Sequence, residues 1–519
     1  MMQEFFGKPF YYALSSLFIL LLSSSIGYFF HLSTFFLILI GIVTVFATVR
    51  KLEYGLLIAF LELLSNAHGF LFFTSVDSFR ISARMVIFLA VFFGFSISLL
   101  RKRLSFFGRD FGATCFFPLM IAIVWGFIIG LTKRNALDVF RDGNAYFYLL
   151  YLLPILHVEW SAIKKHVMLQ CLAAGMVFTT STSVLILYAY THFSEPFLKM
   201  LYVFLRDIRF AEITRLPFGM YRVFEQMHLF AFLFGLILLP RLFSSQTKHD
   251  RLITIFLTSL VFFIALIGMS RSFWFGFAFT SIVCAGLFVF LQRPLMKTLF
   301  LGILHVGAAC ALSLFLLAGT VFFPWPHDRT DGNAITSIFD SRLSDTSDVA
   351  VTSRWNLLIP MREMIMDAPF FGNGFGQTVT FKTDDPRARA IRSDGTWTTS
   401  SMEWGWLEVW LKMGFMAPIG FIFLFLVFIR RARAMFSTPK EWIGIWIISS
   451  LVFISATHVF SPYLNHPLGL GVLLFLFIFL PPDSRVRFFA LLYFLKQKMP
   501  NPRFAASTVQ TVKSKETSN

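Results

Sequence analysis

Charge is what this sequence has least of. Only 14% of its 519 residues are Asp, Glu, Lys or Arg, against about 25% in soluble domains. The deficit runs the whole length of the chain, which excludes a soluble domain held by a single anchor. Acid is scarcer than base, 28 residues against 45. The cations are nevertheless dispersed among loops between apolar stretches, so a nucleic-acid partner is not expected. The four cysteines, Cys115, Cys171, Cys284 and Cys310, all lie inside apolar runs with no close spacing. They read as small buried hydrophobes, not as a disulfide framework or a thiolate metal site. No Asp-x-Asp pattern is present to hold a divalent ion. The adjacent Asp384 and Asp385, followed by Pro386, read as a solvated turn. No internal repeat of the kind common in transporters is evident, and no cofactor or metal is expected.

What is present is apolar: 57% of the residues are hydrophobic and 70 are Phe. With about 20 apolar residues needed per span, about fourteen candidate spans begin near residues 10, 31, 54, 81, 112, 144, 167, 224, 252, 272, 298, 404, 441 and 466, the sixth and the last being short. The fold class expected is all-α, a polytopic membrane protein with roughly 12–14 transmembrane helices and one large outward-facing loop containing short helices. The first apolar stretch, from Phe10 to about Phe30, is too long for the core of a cleavable signal and lacks a small-residue cleavage site, so it reads as the first span. The chain divides into an N-terminal transmembrane bundle (1–323), the polar loop (324–403), C-terminal transmembrane helices (404–482) and a basic amphipathic tail (483–519). Arg50-Lys51, Arg101-Lys102-Arg103, Lys164-Lys165, Lys248 with Arg251, Arg293 with Lys297, Arg430-Arg431 with Arg433 and the tail from Arg485 fall on one side. The positive-inside rule makes that side cytoplasmic, with both termini there and the loop facing the periplasm or cell exterior. The tail would lie along the inner membrane surface.

Several arginines violate that rule. Arg206, Arg209, Arg215 and Arg222 lie between the seventh and eighth spans, and Arg271 sits between two apolar runs, all on the outward side. An anionic ligand at the outer leaflet would account for them; snorkelling to lipid headgroups is the alternative, and it is weakest for Arg271, whose flanks are apolar. In the loop, Arg354 opens an amphipathic helix with Trp355, Leu358, Met361 and Ile365 at helical spacing. The glycine run Gly372, Gly374 and Gly376 could cradle phosphate or make a tight turn, and the turn is favoured. Glu403 stands where the next span begins. It is either a carboxylate stabilised by a helix N-terminus or a base at the outer interface that takes a proton from a sugar hydroxyl, with nearby arginines keeping it ionised. His458 and His466, near the outer ends of the last two spans, are fallback bases, although a lone histidine at a helix end is more often structural.

Four short segments carry a resemblance: Arg215-Leu216-Pro217-Phe218-Gly219, Gly268-Met269-Ser270-Arg271-Ser272, Arg354-Trp355-Asn356-Leu357-Leu358, and the Pro-x-x-Gly-x-Gly-x-Gly run from Pro369 to Gly376. In order and in membrane side they resemble the bacterial O-antigen ligase and O-antigen polymerase family of integral membrane glycosyltransferases. The likeness covers residues 205–430 well and the first two hundred residues only in hydropathy. The ligase pattern places a histidine, a polar residue, nine residues and a glycine; counting back from Gly414 puts Glu403 and Trp404 in the first two places, so the histidine is absent. The resemblance implies a multi-pass protein of the bacterial inner membrane and a glycan donor on polyprenyl diphosphate in the outer leaflet. It implies an acceptor hydroxyl on lipid A core or another lipid-linked glycan, inversion at the anomeric carbon without a metal, and a possible chain-length regulator as partner. Arg215, Arg222, Arg271 and Arg354 would bind the diphosphate, and Glu403 would be the catalytic base. Loss of the histidine tilts the reading to polymerase over ligase. A non-enzymatic lipid-linked glycan transporter or flippase is the competing class; it would bury ionisable residues near mid-membrane.

Overall fold

The computed structural model describes residues 5–65, 67–76, 79–102, 111–216, 220–243, 247–292, 296–324, 349–436 and 438–481. The expected amphipathic tail from Arg485 lies outside them. The described residues are helical almost throughout. In order come α1 (Lys8–Phe29), α2 (Ser33–Arg50), α3 (Leu52–Leu63), a hairpin of β1 (Phe73–Val76) and β2 (Phe79–Ser82), α4 (Ala83–Lys102), α5 (Phe117–Lys133), α6 (Ala136–Gly143), α7 (Leu152–Leu156), α8 (Ala162–His192) and α9 (Glu195–Asp207). A second hairpin, β3 (Glu212–Arg215) and β4 (Tyr221–Phe224), leads to α10 (His228–Leu242), α11 (Lys248–Gly268), α12 (Arg271–Gln292) and α13 (Met296–Phe322). The polar segment supplies α14 (Val349–Asp367), β5 (Val379–Lys382), α15 (Pro386–Ile391) and β6 (Thr396–Thr399). Then come α16 (Gly405–Met413), α17 (Met416–Arg433), α18 (Glu441–Phe460) and α19 (Pro467–Phe479).

Nine helices among the described residues are long and apolar enough to cross a membrane, and α10 and α19 are shorter apolar helices. This is an all-α polytopic membrane protein, as the hydropathy implies. The short members are explained by burial. All but one of the fifteen residues of α10 are buried, and α19 is apolar on every face and almost wholly enclosed. The lipid side is borne by others: Ile42, Phe46, Phe93, Ile282, Phe290 and Phe315 all stand exposed on long helices. α12 packs along α18, α2 along α4, α11 along α13 and α1 along α8.

Three expected spans take other forms. The stretch near residue 54 is α3, only 12 residues long. The stretch near residue 144 is a 3-10 segment, Asn144–Tyr151, followed by the five-residue α7. The stretch from 404 is broken at Gly414, whose φ of +72° ends α16 after nine residues, and the long helix of this region starts only at Met416. α16 thereby belongs with the polar segment. Leu357, Met361 and Ile365 of α14, Val379 of β5, Met402 and Leu411 of α16 make one small apolar core.

The glycine run joins this small unit to the bundle. Asn373 N–H donates to Leu411 O at 2.7 Å, Gly374 N–H to Lys412 O at 2.9 Å and Phe375 N–H to Gly126 O at 3.0 Å. Those amides are spent on helix carbonyls, so the run is a tight turn, not a phosphate cradle. Gly374 has φ +82°, and a Cβ there would lie 2.3 Å from Gly130 N. The backbone can approach α5 this closely only without a side chain.

Candidate functional site

The β3–β4 hairpin sets the first half of the site. Thr214 pairs with Arg222 and Arg215 with Tyr221. Side chains alternate along a strand, so Arg215 and Arg222 stand on opposite faces. Arg222 shares its face with Phe224, over whose ring its guanidinium lies at 5.0 Å. Phe224 is buried and packs on Phe273 at 5.8 Å and edge-on against His228 at 5.6 Å. Arg222 Nε–H thereby reaches Gly268 O, at 2.8 Å, the last residue of α11. A cation at a helix C-terminus satisfies an orphan carbonyl and complements the helix dipole.

The chain then reverses through Met269, in the left-handed region at φ +42°, and Arg271 opens α12. Ser270 Oγ and Ser272 Oγ are 3.1 Å apart, and Ser461 Oγ–H donates to Ser272 Oγ at 2.9 Å. Trp274 Nε1–H closes the corner on Ala265 O at 2.7 Å. From the turn after α18, Tyr463 O–H donates to Gln226 Oε1 at 2.7 Å. Arg222 thus reaches the turn that leads into Arg271, at a corner between the β3–β4 hairpin and the Ser461–Tyr463 turn. Arg215 faces away from it and is exposed.

Glu403 lies just before α16. The N-cap residue is Trp404, with no side-chain capping bond, so the helix terminus is not what meets the Glu403 charge. Arg354 does, through Nε–H to Glu403 Oε2. The carboxylate is 52% exposed and Arg354 29%. Such an open pair is worth at most about 1 kcal/mol, so another donor can replace Arg354 at little cost. Trp404 Nε1–H donates to Arg354 O at 2.8 Å, and its ring packs on Phe460 at 5.5 Å. Phe460 precedes Ser461, the residue bonded to Ser272. The Arg354–Glu403 pair and the Arg222–Arg271 corner therefore sit side by side, joined through Trp404, Phe460 and Ser461.

The two histidines are engaged elsewhere. His458 is fully buried, packs edge-on against Trp406 at 4.7 Å and accepts Leu464 N–H at Nδ1, 3.1 Å away. A neutral ring accepting at Nδ1 carries its proton on Nε2, which leaves no free acceptor nitrogen. His466 caps α19, accepting Leu468 N–H at 3.3 Å, and its Nε2 lies 3.3 Å from His68 Nδ1. Asp384 is taken up by Arg389 on the surface, consistent with a solvated turn.

Two buried polar clusters escaped the sequence reading. Lys412 Nζ donates to Asp142 Oδ1 at 2.6 Å, to Ser400 O at 2.7 Å and to Glu408, and Gly376 N–H donates to Asp142 Oδ2 at 2.7 Å. The i,i+4 spacing of Glu408 and Lys412 was a legible signal; Asp142, far off in sequence, was not. Glu225, fully buried after β4, accepts Ser183 O–H at 2.8 Å and Thr182 O–H at 3.2 Å, with His228 Nε2 3.4 Å from Ser183 Oγ.

Residues 254–422 match the family model described as O-Antigen ligase. That span runs from α11 into α17 and contains Arg271, Arg354 and Glu403; Arg215, Arg222, His458 and His466 lie outside it. No curated protein and no solved structure matches the chain. The matched segment, which holds both the serine-flanked arginine corner and the glutamate turn, is similar to the O-antigen ligase family over about a third of the chain.

Proposed function

We propose that this protein is a membrane glycosyltransferase. It transfers or polymerises a glycan carried on polyprenyl diphosphate at the outer leaflet of the bacterial inner membrane, in surface polysaccharide synthesis. The observation that carries this reading is the junction of two sites at one end of the bundle, Arg222 with Arg271 and Arg354 with Glu403, bridged by Trp404, Phe460 and Ser461. The donor diphosphate rests at the Arg222–Arg271 corner, where guanidinium forks stabilise the charge that grows on the leaving group. Arg215, on the other face of its hairpin, is left out of this clamp. The acceptor hydroxyl exchanges for Arg354 on Glu403. Its oxygen forms a bond to the anomeric carbon as the carbon–phosphate-oxygen bond breaks. The proton passes to the Glu403 carboxylate, and the electron pair leaves with the lipid diphosphate, with inversion. With Glu403 in the place of the ligase histidine, polymerisation is favoured over ligation.

A transporter is the other class to weigh, because Glu225 and the Asp142–Lys412–Glu408 cluster are buried ionisable groups. Glu225 adjoins the β3–β4 hairpin, and the Asp142–Lys412–Glu408 cluster is bonded to the glycine run of the polar segment.

The test is complementation of a deletion strain, scored by surface glycan. Arg271→Ala should abolish glycan output with normal protein levels in the membrane. Normal output from that variant would refute the diphosphate clamp. In the deletion strain, single-repeat chains on the final lipid indicate a polymerase, and long chains stranded on the polyprenyl carrier indicate a ligase.

A further inference from the structure

The turn between α18 and α19 has a second side. Its Ser461 touches the Arg271 corner, and its His466 touches His68, in the segment between α3 and β1. Around His68 the chain gathers cations from three places. Arg84, at the start of α4, is bound to Glu62, its Nε 2.9 Å from Oε2. Arg209, after α9, holds its guanidinium 4.4 Å over the Phe70 ring. Arg80, on β2, lies 5.3 Å over the Phe73 ring, and Phe70 packs edge-on against Phe73 at 6.3 Å. Two like-charged side chains are therefore stacked on one aromatic pair.

Neither Arg80 nor Arg209 has a carboxylate within ion-pair distance among the described residues. The acid at hand, Asp207, already accepts from Arg206 at 2.8 Å and Tyr28 O–H at 2.7 Å. Arg80, Arg84, Arg206 and Arg209 against Glu62 and Asp207 leave two positive charges. Arg209, at φ +54°, is the left-handed residue that closes α9, where Phe210 N–H donates to Leu205 O at 2.8 Å, so its position is fixed by the helix end. His466 accepts at Nδ1, so its Nε2–H donates to His68 Nδ1, and the remaining proton of His68 is on Nε2, a further donor.

We propose that Arg80, Arg209 and His68 form a second anion site, which takes the phosphate-bearing group of the lipid-linked acceptor. The diphosphate of a polyprenyl-linked glycan is esterified at both ends and carries one negative charge on each phosphate, which matches the surplus. The inference rests on the transferase reading. It places donor and acceptor on the two sides of the Ser461–His466 turn, with the Arg271 corner on one side and the Arg209 pair on the other.

The test uses the full-length protein in phosphatidylcholine nanodiscs titrated with inorganic pyrophosphate. Wild type should bind two equivalents, Arg80→Ala/Arg209→Ala one and Arg271→Ala one. Both arginines are exposed, and the double variant should melt with wild type. In transfer assays the double variant should raise the acceptor KM at least about tenfold, the loss of one charge-assisted contact, with donor KM and kcat unchanged. Arg80→Lys/Arg209→Lys should fall between, because charge remains and the planar fork is lost. Unchanged pyrophosphate stoichiometry in the double alanine variant overturns the site, while the Arg271→Ala arm reports separately on the donor clamp. In nanodiscs containing phosphatidylglycerol, loss of the second equivalent together with unchanged acceptor KM in the variant would assign the site to membrane phospholipid and overturn the acceptor assignment.

Discussion

Replacing Lys412 by Met isolates the buried charge cluster beneath the glycine run. The ammonium is 4% exposed, and its partners Asp142 and Glu408 are 9% and 5% exposed. Without it two carboxylates share an enclosed space. The fold can relieve this by keeping one protonated. At pH 7 that costs about 1.4 kcal/mol for each pH unit above an ordinary carboxyl pKa near 4, or about 4 kcal/mol. Breaking buried ion pairs by removing one partner costs about 3–5 kcal/mol, the same range. Lowering the pH to about 5.5 halves the first figure, so Lys412→Met should recover relative to wild type in mild acid. Removing all three charges, as Asp142→Asn/Glu408→Gln/Lys412→Met, should restore most of the loss at neutral pH. The assay is a fluorescence melt of purified protein at both pH values, with size exclusion to confirm a single species. Because Lys412 also holds Ser400 O, close to Glu403, transfer should drop even where the variant remains folded. Melting within about 1 kcal/mol of wild type at both pH values would refute the reasoning.

Gly374→Ala combines a left-handed φ with a Cβ 2.3 Å from Gly130 N, so it should cost more than about 2 kcal/mol and lower the amount of folded protein recovered from membranes; a wild-type melt would show that α5 gives way. Glu403→Gln should slow transfer at least about tenfold without changing the melt, since the pair with Arg354 is open to water. An unchanged rate would leave Glu403 as only the partner of Arg354. Burial, then the charges of Arg84 and Arg209, push the His68 ring down to about 3. Burial and His68 likewise push His466 down. Groups depressed in the fold contribute fully above the unfolded value near 6.5, and that contribution is lost as the pH falls towards 3, by up to about 1.4 kcal/mol per pH unit for each ring. Melts from pH 7.5 to 5 should decline more steeply for wild type than for His68→Gln, and parallel curves would contradict the buried-pair description.

Much of the fold was legible because hydropathy is local. Runs such as Lys248–Gly268 and Glu441–Phe460 can be read as helices from their own residues, and Gly268 to Ser272 as an interruption between two of them. Where local reading failed, burial by neighbours had replaced length. α10 and α19 are short because the bundle encloses them, and the 404 stretch is cut at Gly414 because α16 belongs to the loop unit. The candidate site was legible as a set of arginines out of place and a glutamate in a motif position. Its grouping was not. Strand register sends Arg222 to Gly268 and turns Arg215 away. Arg354, not a helix terminus, meets the charge on Glu403, and both fallback histidines are bound up in turns.

Composition and local spacing establish the class of molecule, most of the helical segments and the residue types able to face a diphosphate. These follow from composition and from spacing along one helix or strand, where the geometry is fixed by the backbone. Which residues come together is set by the packing of the helices. Lys412 reaches Asp142, Ser461 reaches Ser272, and His466 reaches His68, each across helices far apart in the chain. Those meetings depend on how the helices pack, through shapes and buried areas that no single segment contains.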